Sequence, residues 1–296
     1  MTALLEHFGL TRHPFGRHTP KEALLRHRGF QEALSRLRFT VELDGIAILV
    51  SEPGCGKSLL LGELADELTA QAWTVHYFAH CSVGPFSLIN VLAKKAGLAP
   101  ARTRGETATR LAEALLEDQR QHLLVLDETH VMPDDALQDV RLLTISDFDR
   151  KSPFLLLLAG QPALEERLAE PIHHALEQRV TTIARLQPLS PEETADYIRT
   201  RLKAAGAEQP VFEAAAFDAI YEASCGIPRR INNVATATLI VAAARGRRLV
   251  TVQDVHDARM DRGRASPATG RTRTPPAVSA WAETSRTHAL GQEERT

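Results

Sequence analysis

A lysine and a serine close a glycine-rich stretch, SEPGCGKS, at residues 51–58. In phosphate-binding loops the backbone N–H groups surround the phosphates, a lysine reaches the outer phosphates and a hydroxyl holds Mg²⁺. Gly54, Gly56, Lys57 and Ser58 match that chemistry, but Ser51 stands where the pattern G-x-x-x-x-G-K-[ST] has its first glycine. A serine there has little effect if its φ is negative, and costs on the order of 1 kcal/mol if φ must be positive. The stretch predicts a site for ATP and Mg²⁺; the alternative is a glycine-rich turn with an incidental lysine.

An acidic pair, Asp127 and Glu128, follows the apolar run HLLVL at residues 122–126. In P-loop ATPases an aspartate at a strand end coordinates Mg²⁺ through water, and a neighbouring glutamate polarises the attacking water. The alternative for such a pair is a solvated sheet edge. Because the pair follows the glycine-rich loop in the expected order, we predict that both carboxylates share one site with Lys57.

The elements around these residues predict an α/β fold. The apolar run Ile46–Val50 is typical of a strand buried on both faces, and a helix is predicted before it, from about Lys21 to Leu43. Strands alternate with helices as far as about residue 187, which indicates a parallel sheet with right-handed crossovers, and only helical patterns follow. The predicted division is a lead and helix over 1–44, a P-loop core over 45–187, a small all-helical lid over 188–262 and a disordered tail over 263–296.

The composition excludes several classes of protein. With 296 residues, 44% of them hydrophobic and 24% charged, and a net charge of -2, the chain has no whole-molecule attraction to nucleic acid. Its three cysteines have no spacing typical of a zinc site or a disulfide framework. Cys55 lies in the loop beside Lys57, so it is either a thiol of lowered pKa with a redox role or a small, tolerated side chain. No signal peptide or membrane-spanning run is recognised, so we expect a cytoplasmic protein that does not insert into a membrane.

The ordered set SEPGCGKS, LLVLDE, LLLAGQP, LEQRV, LQPLSPEET and GIPRRIN resembles the AAA+ ATPases of the ExeA type. These are the ATPase modules of general secretion pathway protein A and the related transposition regulators of the TnsC, TniB and MuB type. The resemblance runs from about Phe8 to about Ala258. It implies a P-loop AAA+ core with a helical lid, ATP hydrolysis and ATP-dependent self-assembly into a ring or filament.

The resemblance also implies roles for individual residues. The nucleotide would be contacted by Glu52, Pro53, Gly54, Cys55, Gly56, Lys57, Ser58, Leu59, Asp127 and Arg229. Mg²⁺ would be held by Ser58 and Asp127, and Glu128 would be the catalytic base. Gln161 would be the polar sensor that faces the γ-phosphate, and Arg229 would be a second sensor that reaches from the lid.

Arg179, in LEQRV, would be the arginine finger that completes the site of the neighbouring subunit. Three of these roles have plainer alternatives. Arg179 could pair with Glu177 or another surface carboxylate, and Arg229 could be a surface charge at a helix start. Gln161 could cap the turn before Pro162.

The resemblance leaves three outputs open. The first, which we favour, is a transposition regulator that assembles with ATP on double-stranded DNA and recruits or activates a transposase. Lys94, Lys95, Arg102 and Arg104 would then contact DNA phosphates, although such a group could also be a solvated helix end and loop. The second is a secretion ATPase that assists outer-membrane secretin assembly; such proteins usually continue into a membrane span, whereas this chain ends in a polar tail. The third is a nucleotide-dependent assembly switch.

Overall fold

The computed structural model describes residues 2–16, 24–43, 45–79, 85–143 and 152–264, and its centre is a five-stranded parallel sheet. The strands are β1 Ile46–Ser51, β2 Thr74–Phe78, β3 His122–Leu126, β4 Leu155–Gly160 and β5 Val180–Leu186, in the spatial order β2-β3-β4-β1-β5. Every residue of β1, β3 and β4 is buried, as expected for a parallel sheet that is covered on both faces. Val50 pairs with Gly160 and Leu126 with Leu158, so the carboxyl ends of these strands meet at one edge.

The alternation of side chains along β1 divides the core into two layers. Ile46, Ile48 and Val50 pack in one layer, and Ala47 and Leu49 pack in the other. The first layer contains α4 Pro85–Lys95, α5 Arg104–Glu117, α6 Asp134–Leu143, α7 Ala163–Leu168 and α8 His174–Glu177, and the second contains α2 Arg28–Glu42 and α3 Lys57–Ala70. The chain also forms 3₁₀ turns at Thr129–Val131 and Pro171–His173.

A separate apolar core holds the remaining helices together. They are α1 Thr2–Phe8, α9 Pro191–Ala204, α10 Ala214–Ser224, α11 Pro228–Ala244 and α12 Val252–Arg264. Phe8, Leu10 and Phe15 from the start of the chain pack in this core. The N–H and hydroxyl of Thr11 donate to the carbonyl of Ala205, at 2.8 and 3.0 Å. The N-terminal segment therefore packs with α9–α11, which are called the lid below, while α2 packs with the sheet.

The predicted fold class is confirmed, but element boundaries differ. The helix predicted from Lys21 begins at Arg28, because the backbone of His27 is extended and does not continue the helix toward the N-terminus. Residues 17–23, and residues 265–296 of the predicted tail, lie outside the described residues. Among the described helices, none combines the length and the apolar composition needed to cross a membrane.

Candidate functional site

The glycine-rich loop connects β1 to α3 at the carboxyl edge of the sheet. Ser51 is the last residue of β1 and pairs with Leu186 of β5, and it is not among the described residues with positive φ. It therefore meets the case in which a serine is tolerated at the first position of the pattern. Its hydroxyl is buried, with no hydrogen-bond partner in the described part of the chain.

Two glycines give the loop its shape. Gly54 has a φ of +95° and Gly56, the residue before α3, a φ of +109°, a region that side-chain-bearing residues avoid. Lys57 and Ser58 then begin the first turn of α3, whose N–H groups and dipole favour an anion. This backbone fits a phosphate group in the way the sequence pattern predicts.

The structure brings Lys57 together with the acidic pair. Lys57 Nζ lies 2.7 Å from Asp127 Oδ1 and 2.6 Å from Glu128 Oε1. Asp127 is buried, and its Oδ1 also accepts the N–H of Glu128 at 2.8 Å. Its Oδ2 accepts the hydroxyl of Tyr77, from the end of β2, at 2.8 Å. A carboxylate held in this way, one residue past a strand and beside a serine-bearing helix start, has the oxygen chemistry that Mg²⁺ prefers.

The residues after Asp127 form a constrained turn. Glu128 has a left-handed backbone (φ 55°, ψ 33°), and the side chain of His130 approaches it, with Nε2 3.8 Å from Glu128 Oε2. Burial lowers the pKa of His130, and the charges of Lys57 and Arg167 act in the same direction, whereas Glu128 opposes them. Sequence reasoning missed His130 and Tyr77, because neither belongs to the motifs that it used.

The lid contacts the glycine-rich loop directly. Arg229 is the second residue of α11, and its N–H donates to the carbonyl of Gly54 at 3.2 Å. A Cβ on Gly54 would lie 2.7 Å from Cβ of Arg229 and 3.2 Å from Cγ2 of Ile227. The segment that carries Arg229, which is predicted to reach the nucleotide, therefore contacts the glycine-rich loop. The alternative for Arg229, a plain surface charge at a helix start, does not require this contact.

Gln161 lies at the same edge of the sheet, directly after β4. Its carbonyl accepts the N–H of Leu164 at 2.9 Å, so its backbone caps a turn as the alternative for this residue predicted. The preceding Gly160 is packed against the acidic turn, since a Cβ there would lie 3.3 Å from the N atom of His130. The position is compatible with a sensor role, which stays a prediction.

The chain is similar to known proteins over the region that holds the glycine-rich loop and the acidic pair. A family described as "AAA domain" matches residues 41–168. General secretion pathway protein A of Aeromonas hydrophila is 30% identical over 255 residues, which are 84% of this chain and 46% of the relative. The chain therefore contains an AAA domain and is similar in sequence to the ExeA-type AAA+ ATPases. It spans less than half the length of that curated relative.

Solved structures share the fold of this AAA+ protein. Cdc6p of Pyrobaculum aerophilum aligns with a TM-score of 0.65 and 19% identity over 84% of this chain and 70% of that one. The Aeropyrum pernix ORC1 protein in complex with DNA gives a TM-score of 0.58 and 19% identity over 83% and 68% of the chains. The Thermotoga maritima RuvB Holliday junction branch migration motor gives a TM-score of 0.52 and 19% identity over 79% and 69%.

Arg179 of this AAA+ protein is not brought to the nucleotide edge of its own chain. It precedes β5, and Val180 pairs with Ile46 at the start of β1, whereas the glycine-rich loop follows the end of β1. At about 3.3 Å per residue, the strand separates these two edges by roughly 17 Å. Arg179 therefore lies too far from the glycine-rich loop to contact a phosphate bound there in its own chain, and its role as an arginine finger stays a prediction.

The surroundings of Cys55 contradict one of the two expectations for this residue. It is buried, and burial, with a contribution from the charge of Glu52, raises the pKa of its thiol to about 12. The expectation of a lowered pKa beside Lys57 and a helix start is wrong, because the side chain packs in the apolar layer of α2 and α3 rather than facing the helix dipole. The structure supports the alternative of a small, tolerated side chain.

The basic group between β2 and β3 of this AAA+ protein is partly engaged in contacts. Lys95 Nζ lies 4.3 Å from the ring centroid of Phe78 and donates to the carbonyl of Tyr77 at 3.3 Å. Lys94 and Arg102 are exposed at the end of α4 and in the connection to α5. Arg104 is the first residue of α5, and its side chain is half-buried.

Proposed function

We propose that this AAA+ protein binds ATP with Mg²⁺ and hydrolyses it, in an assembly of copies, to regulate a transposase on double-stranded DNA. The observation that carries the nucleotide part is the contact of Lys57 with both Asp127 and Glu128, directly beside a phosphate loop of suitable backbone. The lid supports it, because Arg229 is seated on Gly54 of that loop.

Each group has a chemical task in this proposal. Glu128 orients the attacking water and accepts its proton, while Lys57 and Arg229 supply positive charge to the phosphates. Ser58 and Asp127 would hold Mg²⁺, which when bound neutralises part of the phosphate charge. Gln161 would face the terminal phosphate.

The position of Arg179 supports the proposal of self-assembly. Phosphoryl transfer is accelerated by an arginine that approaches the developing charge, and Arg179 lies at the opposite edge of the sheet from its own phosphate loop. It would therefore act on the site of a neighbouring copy. A ring or a filament satisfies this requirement, since each gives every subunit a neighbour.

Two observations support DNA as the surface for assembly. Lys94 and Arg102 are exposed cations, and the adjacent Lys95 contacts Tyr77 and Phe78 of β2. The hydroxyl of Tyr77 donates to Asp127. Tyr77 would therefore connect DNA phosphates bound at this basic patch to the acidic pair. The fold relative ORC1 was solved in complex with DNA, which makes the same partner a reasonable hypothesis for this chain.

A second candidate function is assistance of secretin assembly in the outer membrane. The name of the 30% identical relative, general secretion pathway protein A, favours it. In that case hydrolysis would respond to a protein partner and not to DNA. A nucleotide-dependent assembly switch would bind ATP and change its assembly size with little turnover.

The test is the ATPase rate and the assembly size of the purified chain, with and without double-stranded DNA, at two salt concentrations. We expect DNA to stimulate hydrolysis and to favour an ATP-dependent assembly that weakens as salt rises. Glu128→Gln should still bind ATP and assemble, but hydrolyse it at least about 100-fold more slowly, because the base is lost.

The charge-reversal variant Lys94→Glu/Arg102→Glu should lower the salt slope of DNA binding by up to about 2, one for each phosphate contact. Arg248→Glu, at an exposed residue beyond α11, is the matched control and should leave the slope near that of the wild type. An ATPase rate that does not change when DNA is added would favour assistance of secretin assembly. ATP binding without turnover would favour the assembly switch. A chain that binds no nucleotide would contradict the proposal altogether.

A further inference from the structure

Arg167, on α7, contacts the backbone of the turn that carries Glu128. Its Nη1 donates to the carbonyl of His130 at 2.9 Å and lies 3.5 Å from the carbonyl of Thr129. The side chain is only 21% exposed, so these contacts are partly shielded from water. Hydrogen bonds from a guanidinium to carbonyl oxygens are stronger than those between neutral groups.

The other side of the Arg167 fork is itself fixed. Nη2 of Arg167 donates to Asp134, the first residue of α6, and the same carboxylate oxygen lies 3.0 Å from Nε2 of His173. His173 is completely buried, and Gln138 of α6 donates to the carbonyl of Ile172 beside it. Arg167, Asp134 and His173 are called the brace below. The brace joins the turn after β3, the start of α6 and the segment from α7 to α8.

The turn needs such support. Glu128 has a φ of 55°, a region that is unfavourable for residues other than glycine and persists only where the surroundings impose it. Residues Asp127–Val131, called the acidic turn below, are tied to the end of β3 by the bond from Thr129 Oγ1 to the carbonyl of Leu126 at 2.7 Å. Lys57 and Tyr77 contact the side chains of the acidic pair from outside the turn, and Arg167 donates to its backbone.

We infer that Arg167 is a positioning residue that fixes the acidic turn and joins it to the segment that ends at Arg179. This inference rests on the proposed function, since it gives Glu128 and Arg179 their tasks in hydrolysis. The chain runs from Arg167 through Pro171–His173 and α8 to Arg179, and His173 in that segment is bound to Asp134. One network therefore holds the base of a subunit and the segment whose arginine would serve its neighbour.

The first experiment compares Arg167→Met, Arg167→Lys and the control Arg185→Met. Arg185, in β5, makes a two-point pair with Glu165 of α7, the helix that also carries Arg167, at 2.8 and 2.9 Å, and this pair does not involve the acidic turn. Steady-state kcat and KM for ATP, binding of a non-hydrolysable ATP analogue, thermal unfolding and hydrogen exchange of the acidic turn are measured for each.

Arg167→Met should lower kcat by about tenfold or more while KM stays within about twofold, because the base is displaced but the phosphate loop is not. Exchange in the acidic turn should become faster. Arg167→Lys should recover part of kcat, since an ammonium can still donate to one carbonyl. A wild-type kcat in Arg167→Met, or losses in kcat, KM and thermal stability that match those of Arg185→Met, would overturn the inference.

The second experiment tests the link to Arg179 by mixing subunits. Arg179→Ala keeps its own base, so it should regain hydrolysis from a partner with an intact arginine. Glu128→Gln should supply that arginine fully, whereas Arg167→Met should supply it at least about threefold less well, because the segment before Arg179 has lost its tie. Equal recovery from both partners would refute the link.

Failure of the proposed function is distinguishable from failure of this inference. If the wild-type chain binds no ATP or does not hydrolyse it, the proposed function fails, and hydrogen exchange alone decides the role of Arg167. Faster exchange in the acidic turn of Arg167→Met would still support the brace, and unchanged exchange would overturn it.

Discussion

The glycine-rich loop carries Lys57 and the acidic turn contacts that lysine, but the backbones of the two regions are fixed by different means. The loop uses two glycines, Gly54 and Gly56, which adopt positive φ without a side chain to oppose it. The acidic turn places a side-chain-bearing residue, Glu128, in the left-handed region, and it is held by contacts from α7 and β3. The first region is shaped by its own residues, and the second depends on residues far away in the chain.

A substitution therefore acts by a different route in each of the two regions. In the loop, a change of residue type alters the backbone directly. In the acidic turn, the same backbone could be loosened by a change at Arg167, which lies in a different helix. The effects of substitutions inside the two regions should therefore differ in size and even in sign.

A large loss of nucleotide binding is expected for Gly54→Ala. The new Cβ would lie 2.7 Å from Cβ of Arg229, in a backbone with φ of +95°. Either the loop or the start of α11 must shift, so affinity for a fluorescent ATP analogue should fall by at least about tenfold, corresponding to about 1.4 kcal/mol.

Gly56→Ala is the matched control, because its φ of +109° is equally unfavourable but its Cβ would meet only Leu186, at 3.8 Å. Its loss of affinity should be smaller, and hydrogen exchange at the start of α11 should not change. If both variants lose affinity equally, contact with the lid does not contribute, and the loop is set by backbone conformation alone.

A second effect concerns the strands that carry Tyr77 and lead to Asp127. His76 of β2 and His122 of β3 are buried side by side, with Nε2 of His76 3.2 Å from Nδ1 of His122. Burial lowers the pKa of His76 to about 4, and the nearby charges of His122, Lys95 and Arg120 act in the same direction. This histidine pair is another contact between distant parts of the chain, and it joins the strand that carries Tyr77 to the strand that leads to Asp127.

The sign of the pH dependence follows from linkage. The unfolded chain takes up the proton of His76 near pH 6.5, whereas the folded chain resists it down to about pH 4. Stability should therefore be fully present above pH 6.5 and be lost as pH falls toward 4, by at most about 3 kcal/mol. Urea unfolding at pH 7.5 and 5 measures it.

His76→Leu should flatten this dependence, and His256→Gln, at an exposed residue of α12, should leave it as in the wild type. A wild-type chain equally stable at both pH values would contradict the burial of an uncharged histidine pair. The histidine pair could then not be counted among the contacts from distant residues that hold the acidic turn.

The same contrast explains how much the sequence could predict. The phosphate loop and the strand before it depend on neighbours within a few residues, so their patterns were sufficient. The approach of the lid to Gly54 and the contact of Lys57 with the acidic pair were predicted only through the order of motifs. Arg167 and Tyr77 were missed, because their partners lie tens of residues away and belong to no local pattern.

The smallest expected effect separates backbone from side chain in the acidic turn. Glu128→Gly and Glu128→Ala both remove the carboxylate that contacts Lys57, so they differ only in how well the residue accepts a φ of 55°. Glycine adopts this conformation freely, so Glu128→Gly should be more stable to unfolding than Glu128→Ala by about 1 kcal/mol. At Glu113, an exposed residue inside α5, the order should reverse by about 1 kcal/mol, since alanine favours helix. Equal stability of the two Glu128 variants would mean that the turn relaxes once the carboxylate is gone, and that the ion pair with Lys57, rather than the contacts from α7 and β3, holds Glu128 in its left-handed conformation.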